Sequence, residues 1–160
     1  MSGLDVDALI TALDLSPHPE GGFYRETFRS PAAVRGPGGV TRAACTQILF
    51  LLPGGVFSAW HRVTSDEIWQ HHEGGPLHLH LLGENGHQRL TLGRATDGLL
   101  PSAVVPAGVW QAAEPATAQG VLCGCTVAPG FDFEDFEMAQ VEALAAAFPD
   151  FAQVVRRLCR

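Results

Sequence analysis

In Gly55-Val-Phe-Ser-Ala-Trp-His61-Arg-Val63-Thr-Ser-Asp66-Glu67, followed after six residues by Gly74, a histidine and a glutamate stand six residues apart behind the turn signal Pro53-Gly54-Gly55. A carboxylate that accepts a hydrogen bond from one imidazole nitrogen orients the ring and raises the basicity of the other. His61 and Glu67 are therefore candidates for a hydrogen-bonded acid–base pair. Around this stretch, eighteen glycines and eleven prolines are spread at short intervals. They separate apolar segments of about five to nine residues, the spacing of an all-β sandwich or barrel. Strands are expected at 22–28, 41–52, 67–72, 76–82, 88–92, 102–105, 110–114 and 120–127, with Asn85-Gly86 the strongest hairpin signal. Helical periodicity is confined to the ends, at 5–13 and at 138–158, the latter interrupted by Pro149. The expectation is one domain over residues 1–160 with short helices flanking a β core.

Composition narrows the function. The 160 residues carry 10 basic and 17 acidic side chains, a formal net charge of -7. Such a surface repels phosphate backbones and anionic lipid, so neither nucleic acid nor membrane is an expected partner. Every basic residue is arginine, which excludes chemistry that needs a lysine amine, including Schiff-base catalysis and P-loop phosphoryl transfer. The four cysteines, Cys45, Cys123, Cys125 and Cys159, form neither a CxxC pair nor a disulfide framework, and no secretory leader pattern opens the chain. A cytoplasmic location is expected.

The His61–Glu67 stretch resembles the first motif of the cupin superfamily, G-x5-H-x-H-x3-E-x6-G, with Val63 in place of the second histidine. Pro106-Ala-Gly108-Val-Trp-Gln111 is similar to the second motif, P-x-G-x2-H, with Gln111 in place of its histidine. A narrower resemblance spans Ser16-Pro-His-Pro-Glu-Gly-Gly22, Tyr24-Arg-Glu-Thr-Phe-Arg-Ser30, the segment from His61 to Trp69, Val104 to Gln111, and Ala128 to Glu137. Together these look like the small single-domain cupin-5 proteins, a family of unassigned function. The resemblance implies a double-stranded β-helix, or jelly roll, that encloses a pocket and pairs as a homodimer. Only His61 and Glu67 remain of the superfamily's four metal ligands, so no cofactor is assigned. A divalent metal on His61, Glu67 and Gln111 is the alternative.

Strand parity supplies the remaining candidates. Tyr24 and Glu26 share a face, and Tyr24 is the only phenol in the chain. Trp69 and His71 share parity with Glu67, so His71 rather than His72 should enter the pocket unless a bulge intervenes. Arg29 and Arg62 can clamp an anionic group. His78 and His80 read as the outward polar face of a half-buried strand. Phe131-Asp-Phe-Glu-Asp-Phe136 reads as a structural clamp leading into the C-terminal helix. The function expected is a small-molecule-binding protein, and within that class an enzyme that transfers a proton on a small polar metabolite as isomerases and epimerases do. His61, Glu67 and Tyr24 are its catalytic candidates, with Glu26, Arg29, Arg62, Trp69, His71 and Gln111 around the substrate. A metal-dependent oxygenase or lyase and a non-catalytic binding module are the alternatives.

Overall fold

The computed structural model describes residues 3–160. Its elements are α1 (Val6–Ala12), β1 (Ser16–Pro17), β2 (Phe23–Arg29), β3 (Ala33–Arg35), β4 (Thr41–Ala43), β5 (Thr46–Leu52), β6 (Ser58–Val63), β7 (Asp66–Gly74), β8 (Leu77–Gly83), β9 (Gly86–Leu92), β10 (Ser102–Val105), β11 (Trp110–Pro115), β12 (Val121–Ala128), β13 (Phe136–Met138), α2 (Val141–Ala147) and α3 (Ala152–Arg157). A six-stranded sheet in the order β1-β2-β5-β12-β7-β10 faces a five-stranded sheet in the order β13-β6-β11-β8-β9, and β3 pairs with β4 outside them. All named strand pairs are antiparallel. This is the jelly roll expected from the punctuation of short strands.

Alternation divides the apolar residues between three layers. Phe50 and Leu52 on β5, Trp69 on β7, Leu77, Leu79 and Leu81 on β8 and Cys123 and Cys125 on β12 meet between the sheets. The other face of β5 and β12 presents Leu51 and Leu122 to Leu9, Ile10 and Leu13 of the N-terminal segment. β5 is thus buried on both faces, which is why its sequence runs apolar without alternation. On the opposite side Trp60, Leu82 and Ala112 pack against Leu144, Val155 and Leu158 of the C-terminal helices.

These helices change the expectation for the histidine strand. His80 faces away from the leucines, as its parity requires, but that face is roofed by the C-terminal segment and His80 is buried. Its ring stacks on His87 with Nδ1 2.9 Å from His87 Nε2, and Trp60 packs edge-on to it. Only His78, beside Thr91, remains half-buried. The strand Ser58–Val63 was not among those expected, because its run of Ser, Ala, Trp, His and Arg shows no clean alternation.

Candidate active site

A cavity of about 280 Å³ opens between the sheets, and β2, β5, β6, β7 and β12 each contribute to it. Cross-strand register sets which side chains enter. Tyr24 lies opposite Phe50, Glu26 opposite Ile48 and Arg29 opposite Thr46. Strict alternation would place Phe28 beside Glu26 and send Arg29 outward. A bulge between Glu26 and Phe28 shifts the pairing by one, so Arg29 lines the cavity and Phe28 is exposed. Arg29 Nη2 then meets Glu26 Oε1 at 2.6 Å and the Phe131 carbonyl at 3.1 Å.

His61 lies on the floor, fully buried. Its Nδ1 is 2.7 Å from the Ala59 carbonyl, which can only accept, so Nδ1 carries a proton. Nε2 faces Glu20 Oε2 at 3.0 Å, and Ser58 Oγ donates to Glu20 Oε1 at 2.9 Å. The ring's partner is therefore Glu20, not the expected Glu67. Burial pushes the Glu20 carboxyl up to about 8, against the opposing Ser58 hydrogen bond. Burial likewise lowers His61 from its ordinary value, with the charge of Glu67 and the Ala59 carbonyl acting in the other direction. The pair thus holds one proton between Glu20 Oε2 and His61 Nε2 at neutral pH, with the imidazole neutral.

Glu20 reaches this position through a folded loop. The Gly21 N–H donates to His18 O and the His18 N–H to Gly22 O, with Gly21 and Gly22 both at positive φ. A Cβ on Gly21 would lie 2.3 Å from the Phe57 carbonyl, so only glycine permits the loop to press against β6, where the Ala59 N–H donates to Glu20 O. The Glu20 N–H donates to His18 Nδ1 at 3.1 Å, leaving the proton on His18 Nε2. Burial, aided by His61, lowers His18 to about 4. His18 and Glu20 are not among the expected site residues, although both stand in the Ser16–Gly22 stretch that carries the family resemblance; the available signal was a glutamate set between a proline and two glycines.

Glu67 also lines the floor. Gln111 Nε2 donates to its Oε2 at 2.6 Å, and Trp69 Nε1 donates to Gln111 Oε1 at 2.8 Å. An indole N–H only donates, so the orientation of the amide is fixed: its oxygen faces Trp69 and its NH2 faces Glu67. Glu67 Oε1 has no hydrogen-bond partner among the described residues. Burial raises this carboxyl to about 7, partly offset by His61, with Glu20 adding to the rise and the Gln111 hydrogen bond opposing it.

The metal alternative is tested by these orientations. Gln111 turns its NH2, which cannot ligate, toward Glu67, and His61 Nε2 is engaged by Glu20. Among the described residues no three His, Cys, Asp or Glu side chains converge as an ion would require. The residues present do not fit a cupin metal centre.

Four expected substrate residues lie off the cavity. Arg62 follows His61 on β6 and so takes the opposite face, where it pairs with Glu137 at 2.7 Å and lies over the Trp110 ring. Trp69 is core and touches the site only through Gln111. Gln111 itself is fully buried behind Glu67. His71 lies beyond Trp69, away from the cavity, with Nε2 3.0 Å from the Gly75 carbonyl. The Phe131–Phe136 run, expected as a clamp, does more than clamp: Phe131, Asp132, Phe133 and Phe136 line the cavity mouth. Two of its three acidic residues are held by Arg42, whose Nε meets Asp135 at 2.8 Å and whose Nη2 meets Glu134 at 3.2 Å. Cys125 also borders the cavity, but burial raises its thiol well above the usual range, so it is no nucleophile.

The fold and this enclosed polar cavity define a small jelly-roll protein of the cupin type. Residues 7–139 match the family model Cupin_5, described as "Cupin superfamily (DUF985)", and the chain belongs to that family. A hypothetical protein from Leishmania major has a solved structure that is 33% identical, with a TM-score of 0.90 over 96% of this chain and 97% of that one. A crystal structure of a Shewanella oneidensis protein is 36% identical, with a TM-score of 0.88 over 100% of this chain and 99% of that one. Oxalate decarboxylase of Bacillus subtilis is similar in fold alone, at 16% identity and a TM-score of 0.58 over 91% of this chain and 37% of that one. No curated protein matches the sequence.

Proposed function

We propose that this chain is a single-domain enzyme that shifts a proton on a small polar metabolite, in the manner of an isomerase or epimerase. The observation that carries the reading is the buried His61–Glu20 contact of 3.0 Å, with the imidazole fixed through Nδ1, beside a second carboxyl, Glu67, that has a free oxygen in the same cavity. An isomerisation removes a proton at one position and supplies one at another. Two proton-holding groups, one loaded and one able to accept, can carry out both steps. Glu20 holds its proton up to about pH 8, whereas Glu67 is half ionised at about 7. Glu67 is the candidate acceptor and the Glu20–His61 pair the candidate donor. Tyr24, on the cavity wall, is a further hydroxyl donor for developing negative charge.

No helix among the described residues is long and apolar enough to cross a membrane. The four cysteines are unpaired, which supports a cytoplasmic setting. A homodimer is supported by β10, which pairs on one side only, and by the exposed neighbours Ile68 and Val104 on the outer face of that sheet. Sedimentation at twice the 17.0 kDa chain mass checks it.

Mass spectrometry of metabolites retained by the purified protein, followed by incubation in heavy water, tests the enzymatic reading. The retained compound should gain carbon-bound deuterium that survives return to ordinary water, and His61→Ala and Glu67→Gln should each slow the gain on the order of 10²-fold or more. A bound compound that takes up no deuterium, or takes it up equally in the His61→Ala variant, makes the chain a binding module instead.

A further inference from the structure

The cavity mouth differs in chemistry from its floor. Phe131, Phe133 and Phe136 form a cluster with ring centroids 5.0, 6.0 and 6.1 Å apart, and Phe133 is 52% exposed. An apolar ring left half uncovered at the rim of a cavity is available to a ligand. Of the four carboxyls in the lining, Glu20 keeps its proton at neutral pH and Glu26 is paired with the one guanidinium, Arg29, which leaves Glu67 and Asp132 without a cationic partner in the cavity. That guanidinium is already engaged by Glu26 and by the Phe131 carbonyl. His18 and His61 add no positive charge, since both rings are neutral in their buried settings. Glu67, only 7% exposed, keeps Oε1 without a protein partner.

The cavity thus offers aromatic faces, an unpaired carboxyl oxygen and no free cation. An anion entering it meets repulsion, and a neutral ligand gains apolar burial and hydrogen bonds but no charge attraction. A cation gains both the attraction of the ring faces and that of the carboxylates. We propose that the pocket takes a small metabolite bearing an ammonium group, recognised by the phenylalanine rings at the mouth and by the cavity's carboxylates. The assignment rests on the cavity being the ligand site, as proposed above, and is independent of whether a proton is transferred there.

Three probes of one shape separate charge from size: choline, its uncharged carbon analogue 3,3-dimethylbutan-1-ol, and the anion 3,3-dimethylbutanoate. Titration of each into the whole protein, followed by NMR of the cavity residues, should show choline binding about tenfold more tightly than the alcohol, with the carboxylate weakest. Phe133→Leu keeps apolar bulk at an exposed site but removes the ring face. It should weaken choline about threefold or more and leave the alcohol unchanged. The proposal is overturned if the alcohol or the carboxylate binds as tightly as choline, if choline causes no shift at tens of millimolar, or if Phe133→Leu weakens both probes alike. These readings measure binding alone, so their failure leaves deuterium uptake by the retained metabolite as a separate test of proton transfer.

Discussion

Replacing Glu20 with glutamine should stabilise the protein, and by more as the pH rises. The folded carboxyl keeps its proton up to about pH 8, whereas an unperturbed one loses it near 4.5. Between these values the folded state binds the extra proton, so the stability of the wild type falls as pH climbs through the window. At about 1.4 kcal/mol per pH unit the loss is about 3 kcal/mol at pH 7 and about 4 kcal/mol at pH 8, levelling off just above it. Glutamine carries no such proton and keeps both contacts, its NH2 donating to His61 Nε2 and its carbonyl accepting from Ser58 Oγ. Urea unfolding at one fixed protein concentration should therefore give nearly equal stabilities at pH 5 and an advantage of about 2–5 kcal/mol for Glu20→Gln at pH 8.5. Glu67 contributes its own slope to both proteins, slightly smaller in the variant because Glu20 adds to its rise, so most of the difference between them belongs to Glu20. An advantage that does not grow with pH, or a variant less stable at both values, refutes the reasoning.

Gln111→Leu should cost about 2–4 kcal/mol in urea unfolding, because the buried Trp69 indole and Glu67 Oε2 both lose their partner, and carboxyl NMR should find Glu67 raised further. Gly21→Ala places a Cβ 2.3 Å from the Phe57 carbonyl at a φ of 109°, so a loss of about 2 kcal/mol or more is expected, and an unchanged melting temperature would contradict it. Arg42→Met frees Asp135 and Glu134, so hydrogen exchange should quicken across residues 131–136 while β5 and β12 stay protected.

The fold was legible because glycine and proline punctuation in a chain this short admits few architectures, and because the spacing of His61, Glu67, Gly74, Pro106 and Gly108 carries the family resemblance. Parity showed that Tyr24 and Glu26 share a face, and the family resemblance, not parity, turned that face toward the cavity they line. Arg29 entered the cavity for a reason the alternation could not supply, since a bulge reversed its face. Glu20 was hidden for a different reason: the loop that carries it follows the positive φ of Gly21 and Gly22, and its partner lies on a strand 41 residues away in the sequence. Glu67 lines the cavity, yet pairing it with His61 by spacing overlooked the amide of Gln111 that holds it. His80 shows the same limit, because its parity was read properly and the helices that cover it come from the far end of the chain.

The account rests on a proton shared by Glu20 and His61 on the cavity floor. Long-range ¹H–¹⁵N correlation of the imidazoles, combined with ¹³C titration of the glutamate carboxyls, observes it directly. His61 should appear at pH 7 as the neutral tautomer protonated on Nδ1, with the Glu20 carboxyl still protonated and titrating near pH 8. A His61 that titrates near its ordinary 6.5, beside a Glu20 carboxylate already ionised near 4.5, would contradict the account.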